Sequence, residues 1–183
     1  YQVNQAFPGY KLHIVPFDDT HTGILSEIAA LGEKYDFLVG ACDSAEWLRL
    51  CNFRQLGTYR HCFAVSREHP LAKKKRLTIQ DLYGETVMMV KQGDSPSVDR
   101  VRREIEKHPQ IRIEDTPQFY DMEVFNRCVQ TQNVMLTLEC WKDVHPGLVT
   151  LPADWEYSIP YGVMYAKNAE EDVLKFLSLL PSK

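Results

Sequence analysis

The chain has 183 residues, 44% of them hydrophobic, enough to bury a core without disulfides or a structural metal. A net charge of −4 argues against a basic nucleic-acid-binding surface as its main feature. No run reaches the roughly 18 apolar residues of a membrane span, and five cysteines, odd in number and without a CxxC pair, fit a reduced cytoplasmic protein better than a disulfide framework.

Residues 1–8 read as the tail of a helix, and Pro8-Gly9 breaks the chain before a β-prone alternation over 11–17. A polar loop follows. Ile24, Leu25, Ile28 and Leu31 then stand at helical spacing, which predicts an amphipathic helix over roughly 23–34. Phe37-Leu38-Val39-Gly40 reads as a short buried strand, and a strand–helix–strand unit of this length implies parallel pairing.

Residues 53–66 form a long extended segment, followed by His69-Pro70-Leu71-Ala72, the basic run Lys73-Lys74-Lys75-Arg76, and Thr78-Ile79-Gln80-Asp81-Leu82-Tyr83-Gly84. Pro70 removes a ladder donor, so the strand ends there. Thr78 and Asp81 have capping-box spacing, and Gly84 supplies a left-handed stop. The basic run is a solvated loop.

A strand over 85–90 comes next, then Ser95-Pro96, an N-cap with proline at the first helical position, opening a helix over 96–107 that buries Val98, Val101 and Ile105. A strand over 111–114 is closed by Pro117. Asp121 caps a helix carrying Val124, Phe125, Cys128 and Val129, with Asn133 as its left-handed exit and a strand over 134–138 after it. Extended segments over 148–151 and 158–166 follow. Asn168 and Glu171 have capping-box spacing ahead of a last helix whose apolar face is Val173, Leu174, Phe176, Leu177 and Leu180. Strands alternate with helices throughout, so the class is α/β. The two long extended segments, near 53–66 and 156–166, read as paired crossovers between two lobes with a cleft at the hinge.

Four passages, in order, resemble the effector-binding domain of LysR-type transcriptional regulators. They are Phe7-Pro8-Gly9-Tyr10-Lys11-Leu12; residues 32–39 with Asp36 at the family's aspartate; the His69-Pro70-Leu71-Ala72 segment with Asp81-Leu82-Tyr83-Gly84; and residues 122–138. Gln132-Asn133 stands where the family has glycines, and Leu138-Glu139 lacks its usual proline. The resemblance implies a two-lobed fold like type 2 periplasmic binding proteins, each lobe a mixed, mostly parallel sheet flanked by helices. It implies an outer lobe of residues 1–60 and 161–183 and an inner lobe of residues 61–160. The family's first strand and its DNA-binding winged helix-turn-helix are expected ahead of residue 1. It further implies a homodimer, or a tetramer in the full-length protein, with the helix ending near Pro8 and helix 96–107 packed against a second subunit. DNA is then contacted only through the N-terminal domain, and no membrane is involved.

No catalytic signature is present: no GxSxG, no HExxH and no glycine-rich phosphate loop. The six histidines are scattered without metal-ligand spacing, and Cys140 with His145 lacks a closing pair of ligands. Neither enzyme activity, nor a metal, nor a cofactor is expected. Cys42 and Cys51 are expected to be inert thiols. Binding is expected where polar residues meet the carboxyl ends of strands, near helix N-termini that attract anions. The candidates are Asp18 and Thr20; Lys91, Gln92 and Ser95; Phe119 and Tyr120; and Thr137. The expected ligand is a small-molecule effector, a carboxylate or another metabolite. The alternative is a solute-binding protein of a transport system with the same fold.

Overall fold

The computed structural model describes residues 21–93, 95–117 and 120–180; the expected helix tail over 1–8 and strand over 11–17 lie outside the described residues. The chain divides into two units, one made of residues 1–42, 46–57 and 160–183, the other of residues 43–45 and 58–159. Strands β2 (Asn52–Ser66) and β7 (Ser158–Tyr165) contribute residues to both.

The larger unit is built on strands that bury both faces. β3 (Thr86–Val90) pairs in parallel with β4 (Arg112–Thr116) and with β5 (Val134–Leu138). β5 pairs antiparallel with β2, whose other edge takes β6 (Leu148–Pro152). The order is therefore β6-β2-β5-β3-β4. Because successive side chains point to opposite faces, Phe63, Val65, Val87, Met89, Val134 and Leu136 share one face, packed on Val98, Val101 and Ile105 of α3 (Pro96–Ile105). Ala64, Met88 and Met135 share the other, packed on Val124, Phe125 and Cys128 of α4 (Met122–Thr131). Each fully buried side chain of this size contributes about 1.5–3 kcal/mol. One helix per face covers the sheet, which is why the strands read as unbroken apolar runs.

The smaller unit holds α1 (His21–Ala29), β1 (Leu38–Ala41), α2 (Ala45–Leu50), the start of β2, most of β7, and α5 (Glu171–Ser178). β1 pairs antiparallel with β7, from Leu38 opposite Met164 to Ala41 opposite Tyr161. The short helix α2 was not among the predicted elements. Phe37 packs on Phe176 of α5, ring centroids 4.8 Å apart.

Between β2 and β3 the chain forms two single-turn 3-10 helices, Pro70–Lys73 and Ile79–Leu82. His69 caps the first through Nδ1, which accepts from the Leu71 N–H at 3.1 Å. Asp81 caps the second, accepting from the Thr78 N–H at 2.9 Å, and Gly84 makes the expected left-handed stop at φ +88°.

Several boundaries differ from the sequence-based expectation. The helix expected over 23–34 ends at Ala29, because Gly32 at φ +87° turns the chain and its N–H donates to the Tyr35 carbonyl at 2.8 Å. β4 runs over 112–116, two residues beyond the expected 111–114, since parallel pairing continues to Val90 opposite Thr116. The left-handed exit of α4 is Gln132 at φ +58°, not Asn133. Asn133 is held by its own amide, which donates to Glu114 at 3.1 Å. The Asn168 and Glu171 capping box does not form: α5 begins at Glu171 with no side-chain cap. The turn before it is tied elsewhere, Ala166 accepting from the Asn52 amide and the Lys167 ammonium donating to the Arg49 carbonyl. Leu174, expected on the buried face of α5, is 49% exposed.

At Gly162 a Cβ would lie 2.0 Å from the Arg54 carbonyl oxygen and 2.8 Å from its carbon. Backbone cannot give way as a flexible side chain can. Gly162→Ala is therefore expected to destabilise the protein by about 2–4 kcal/mol in urea unfolding. Gly84→Ala meets nothing within 4 Å and is expected to cost only the left-handed strain, about 1–2 kcal/mol.

Candidate functional site

The polar groups of the larger unit concentrate at the carboxyl ends of β3 and β5. There the chain leaves β3 through Lys91, Gln92 and Gly93 and enters α3 at Ser95. In β3 and β5 the register sets Met88 against Met135, so two residues further on Val90 stands level with Thr137. Helices leave this end of the sheet on both faces, the arrangement at which open α/β sheets bind ligands.

The N-terminus of α3 can be accounted for group by group. Pro96 has no N–H to place. The Val98 N–H donates to Ser95 Oγ at 3.2 Å, and the Asp99 N–H donates to the Ser95 carbonyl at 2.9 Å. The remaining donor, the Ser97 N–H, goes to the carboxylate of Asp43, at 2.8 Å from Oδ2. The Ser95 hydroxyl donates to Oδ1 of the same carboxylate at 2.5 Å. Asp43 thus occupies the positive end of the helix, where its charge is favoured both by the N–H groups and by the helix dipole. The guanidinium of Arg102, further along α3, donates to Asp115 at 2.6 Å and to the Val90 carbonyl at 2.9 Å, fixing the helix to β3 and β4.

His61 completes this end of the sheet. It pairs with Leu138, is 3% exposed, and has the same strand parity as Phe63 and Val65, so it faces the α3 side. Neither ring nitrogen has a hydrogen-bond partner among the described residues. Burial lowers its pKa from 6.5 to about 4; the Asp43 carboxylate and a polar approach to the Thr137 backbone, outside hydrogen-bonding geometry, oppose that shift, while Arg100 adds to it. The ring is neutral near pH 7, with one donor and one acceptor unused.

Of the residues singled out from sequence, Ser95, Lys91 and Gln92 come together here, Ser95 buried and the other two exposed. Thr137 lies at the same end of the sheet and is buried, but its parity puts it on the α4 face. Tyr120 packs its ring on Phe125 and Trp141 on that face, and burial pushes its pKa far up. Asp18, Thr20 and Phe119 lie outside the described residues. Sequence reasoning passed over Asp43 and His61. The available signal for Asp43 was an acidic residue directly after a short apolar strand. His61 carried none, being one histidine in an extended run.

Other chemistry is sparse. No group of three potential metal ligands, and no helix long and apolar enough to cross a membrane, occurs among the described residues. Burial raises the thiol pKa of Cys62 to about 11 and of Cys128 to about 12. A separate groove of about 330 Å³, lined by Phe63, Leu77, Trp155 and Tyr157, lies towards the other end of α3 at Glu104.

Two outcomes follow from these environments. A base whose folded pKa lies below its unfolded value stabilises the fold fully above the unfolded value and loses that contribution as pH falls. With His61 at about 4 when folded and 6.5 otherwise, unfolding free energy should fall between pH 6.5 and 4. The loss should reach roughly 3 kcal/mol in urea titrations at stepped pH, and His61→Gln should remove most of it. In native alkylation at pH 8, Cys140, the exposed thiol, should react before the four buried ones.

The chain matches the family described as LysR substrate binding domain over residues 25–180. A search of curated proteins returns no match. Among solved structures, the chain is similar to the regulatory domain of CcmR from Synechocystis in complex with 2-PG, at 14% identity and a TM-score of 0.58, covering 98% of this chain and 86% of that one. It is similar to the effector-binding domain of QuiR in complex with shikimate, at 18% identity and a TM-score of 0.59, covering 85% and 75%. A variant of ArgBP from T. maritima matches at 20% identity and a TM-score of 0.52, covering 98% and 74%. These likenesses establish the fold, the α/β architecture of type 2 periplasmic binding proteins. Together with the family match over most of its length, they make this chain a LysR substrate-binding domain, a domain of transcriptional regulators and not of enzymes.

Proposed function

We propose that this domain senses a small metabolite for a cytoplasmic LysR-type regulator. The effector binds in the cleft between the lobes and shifts the state in which a dimer holds DNA. The observation that carries the reading is the convergence, at the carboxyl ends of β3 and β5, of the α3 N-terminus, the Ser95 hydroxyl and the His61 ring, which has no hydrogen-bond partner among the described residues. Such a place gathers polar groups at the edge of an apolar core, the usual composition of a small-molecule site. Lys91 and Gln92 are exposed beside it and supply further polar contacts, and Thr137 and Tyr120 belong to the proposal from the α4 face at the same end of the sheet. Asp18, Thr20 and Phe119 belong to the same proposal as contacts from neighbouring loops. The CcmR and QuiR domains, captured with 2-PG and shikimate, support a ligand of this size.

Effector binding acts by population shift: a ligand that favours one lobe arrangement stabilises it by its difference in affinity for the two. DNA is reached through the family's N-terminal winged helix-turn-helix, and the domain contributes the dimer contacts.

A metabolite screen by thermal shift tests this. A ligand at roughly one hundred times its Kd adds about 2.7 kcal/mol, which for a domain of this size is a rise in Tm of about 5–10 °C. Ser95→Ala should abolish the rise while costing about 1 kcal/mol of stability through the lost cap. A domain that binds no metabolite and stays monomeric at high concentration would overturn the reading.

A further inference from the structure

The N-terminus of α3 has no free donor: proline at the first position, Ser95 on Val98, and Asp43 on Ser97 and on the Ser95 hydroxyl together use the whole set. The geometry of the Asp43 carboxylate is that of a bound ligand. Its two oxygens each take one hydrogen bond, side by side, at the positive end of a ten-residue helix. It is the kind of pose a free oxyanion adopts at such a place. Residues 43–45 group with the larger unit although the chain on either side of them does not, and Asp43 makes its two hydrogen bonds there. The second observation is His61. It is buried on the α3 face, with no hydrogen-bond partner for either ring nitrogen among the described residues, although Asp43 acts on it electrostatically. A buried donor with no partner costs free energy unless something else uses it.

We propose that Asp43 is an internal stand-in for the effector: the effector carries an oxyanion group that displaces the Asp43 carboxylate from Ser95 and Ser97 and takes a further hydrogen bond from His61. This rests on the effector-sensing reading above and assigns Asp43 and His61 their parts in it. Displacement is required because two negative groups cannot share one helix end. Effector binding and release of the loop at 43–45 are then the same event, which gives the chain directly after β1 two states. The wild-type affinity is the intrinsic affinity reduced by the fraction of molecules whose loop is open.

The test uses the full chain and simple probes, acetate and inorganic sulfate, with binding followed by calorimetry and by the ring nitrogen signals of His61. In Asp43→Ala the helix end is open, and acetate should bind about tenfold tighter or more than in wild type, the factor being the open fraction regained. Asp43→Asn, which keeps the shape and loses the charge, carries the test if the alanine variant folds poorly, and should also bind tighter than wild type. The His61 ring signals should move on adding acetate to either variant. Glu46→Gln, which removes the next acidic charge along the chain, should leave acetate affinity as in wild type. Equal affinity in wild type and both Asp43 variants overturns the proposal, as does an equal gain in Glu46→Gln. A metabolite that binds wild type while the Asp43 variants gain nothing removes this inference and leaves effector sensing standing. Tighter acetate binding in the variants, with no metabolite bound by wild type or variant, removes the sensing reading alone.

Discussion

The constraint on which the larger unit depends is the alternation of side chains along β3 and β5. Two central parallel strands with apolar residues at all but one position each must be covered on both faces. Val87 and Met89 point to α3, and Met88 points to α4. A slip of one residue in β3 would turn Val87 and Met89 to α4 and Met88 to α3, so that each helix would meet side chains it is not shaped to pack on. Because each helix returns antiparallel to the strand before it, both helix N-termini arrive at the carboxyl ends of the strands. The position of the polar site is thus a consequence of how the core is packed.

At that end, electrostatics takes over from packing. The helix α3 presents N–H groups that must be satisfied, and Asp43 satisfies the last of them. The same end of the sheet buries His61, whose ring stays neutral because burial outweighs the attraction of Asp43. In the displacement proposed above, an anion takes the place of this carboxylate, and the His61 ring, without a hydrogen-bond partner among the described residues, supplies a further donor. Such an exchange uses groups the fold must place there in any case.

Much of the architecture was legible in the sequence. β5 spans 134–138 as its apolar run predicted, and α3 and α4 start where Ser95 and Asp121 cap them through the N–H groups of Val98 and Val124. Gly84 stops its turn in the left-handed region. These features were readable because they are local: a cap, a proline or a run of apolar residues acts within a few positions. Helix ends without such a signal were misjudged. α1 ends at Ala29 where Gly32 turns the chain through its bond to Tyr35, and the turn before α5 is tied by Asn52 and Lys167 to distant parts of the chain. Asn133 failed as a left-handed residue for a similar reason, its amide being committed to Glu114 nineteen positions away.

The candidate site shows the same division. Ser95 was visible as a cap, and Lys91 and Gln92 as the loop between a strand and a helix. The family resemblance, carried by short motifs along most of the chain, was also within reach of sequence alone. The pairing of Asp43 with Ser95 and Ser97, more than fifty positions apart, and the burial of His61 without a partner were decided only by the tertiary structure. Composition and periodicity determine which residues enter the core and where helices start, since those depend on neighbours in the chain. Which carboxylate reaches a helix end, and which ring is shut away from water, depends on how the sheet brings remote segments together.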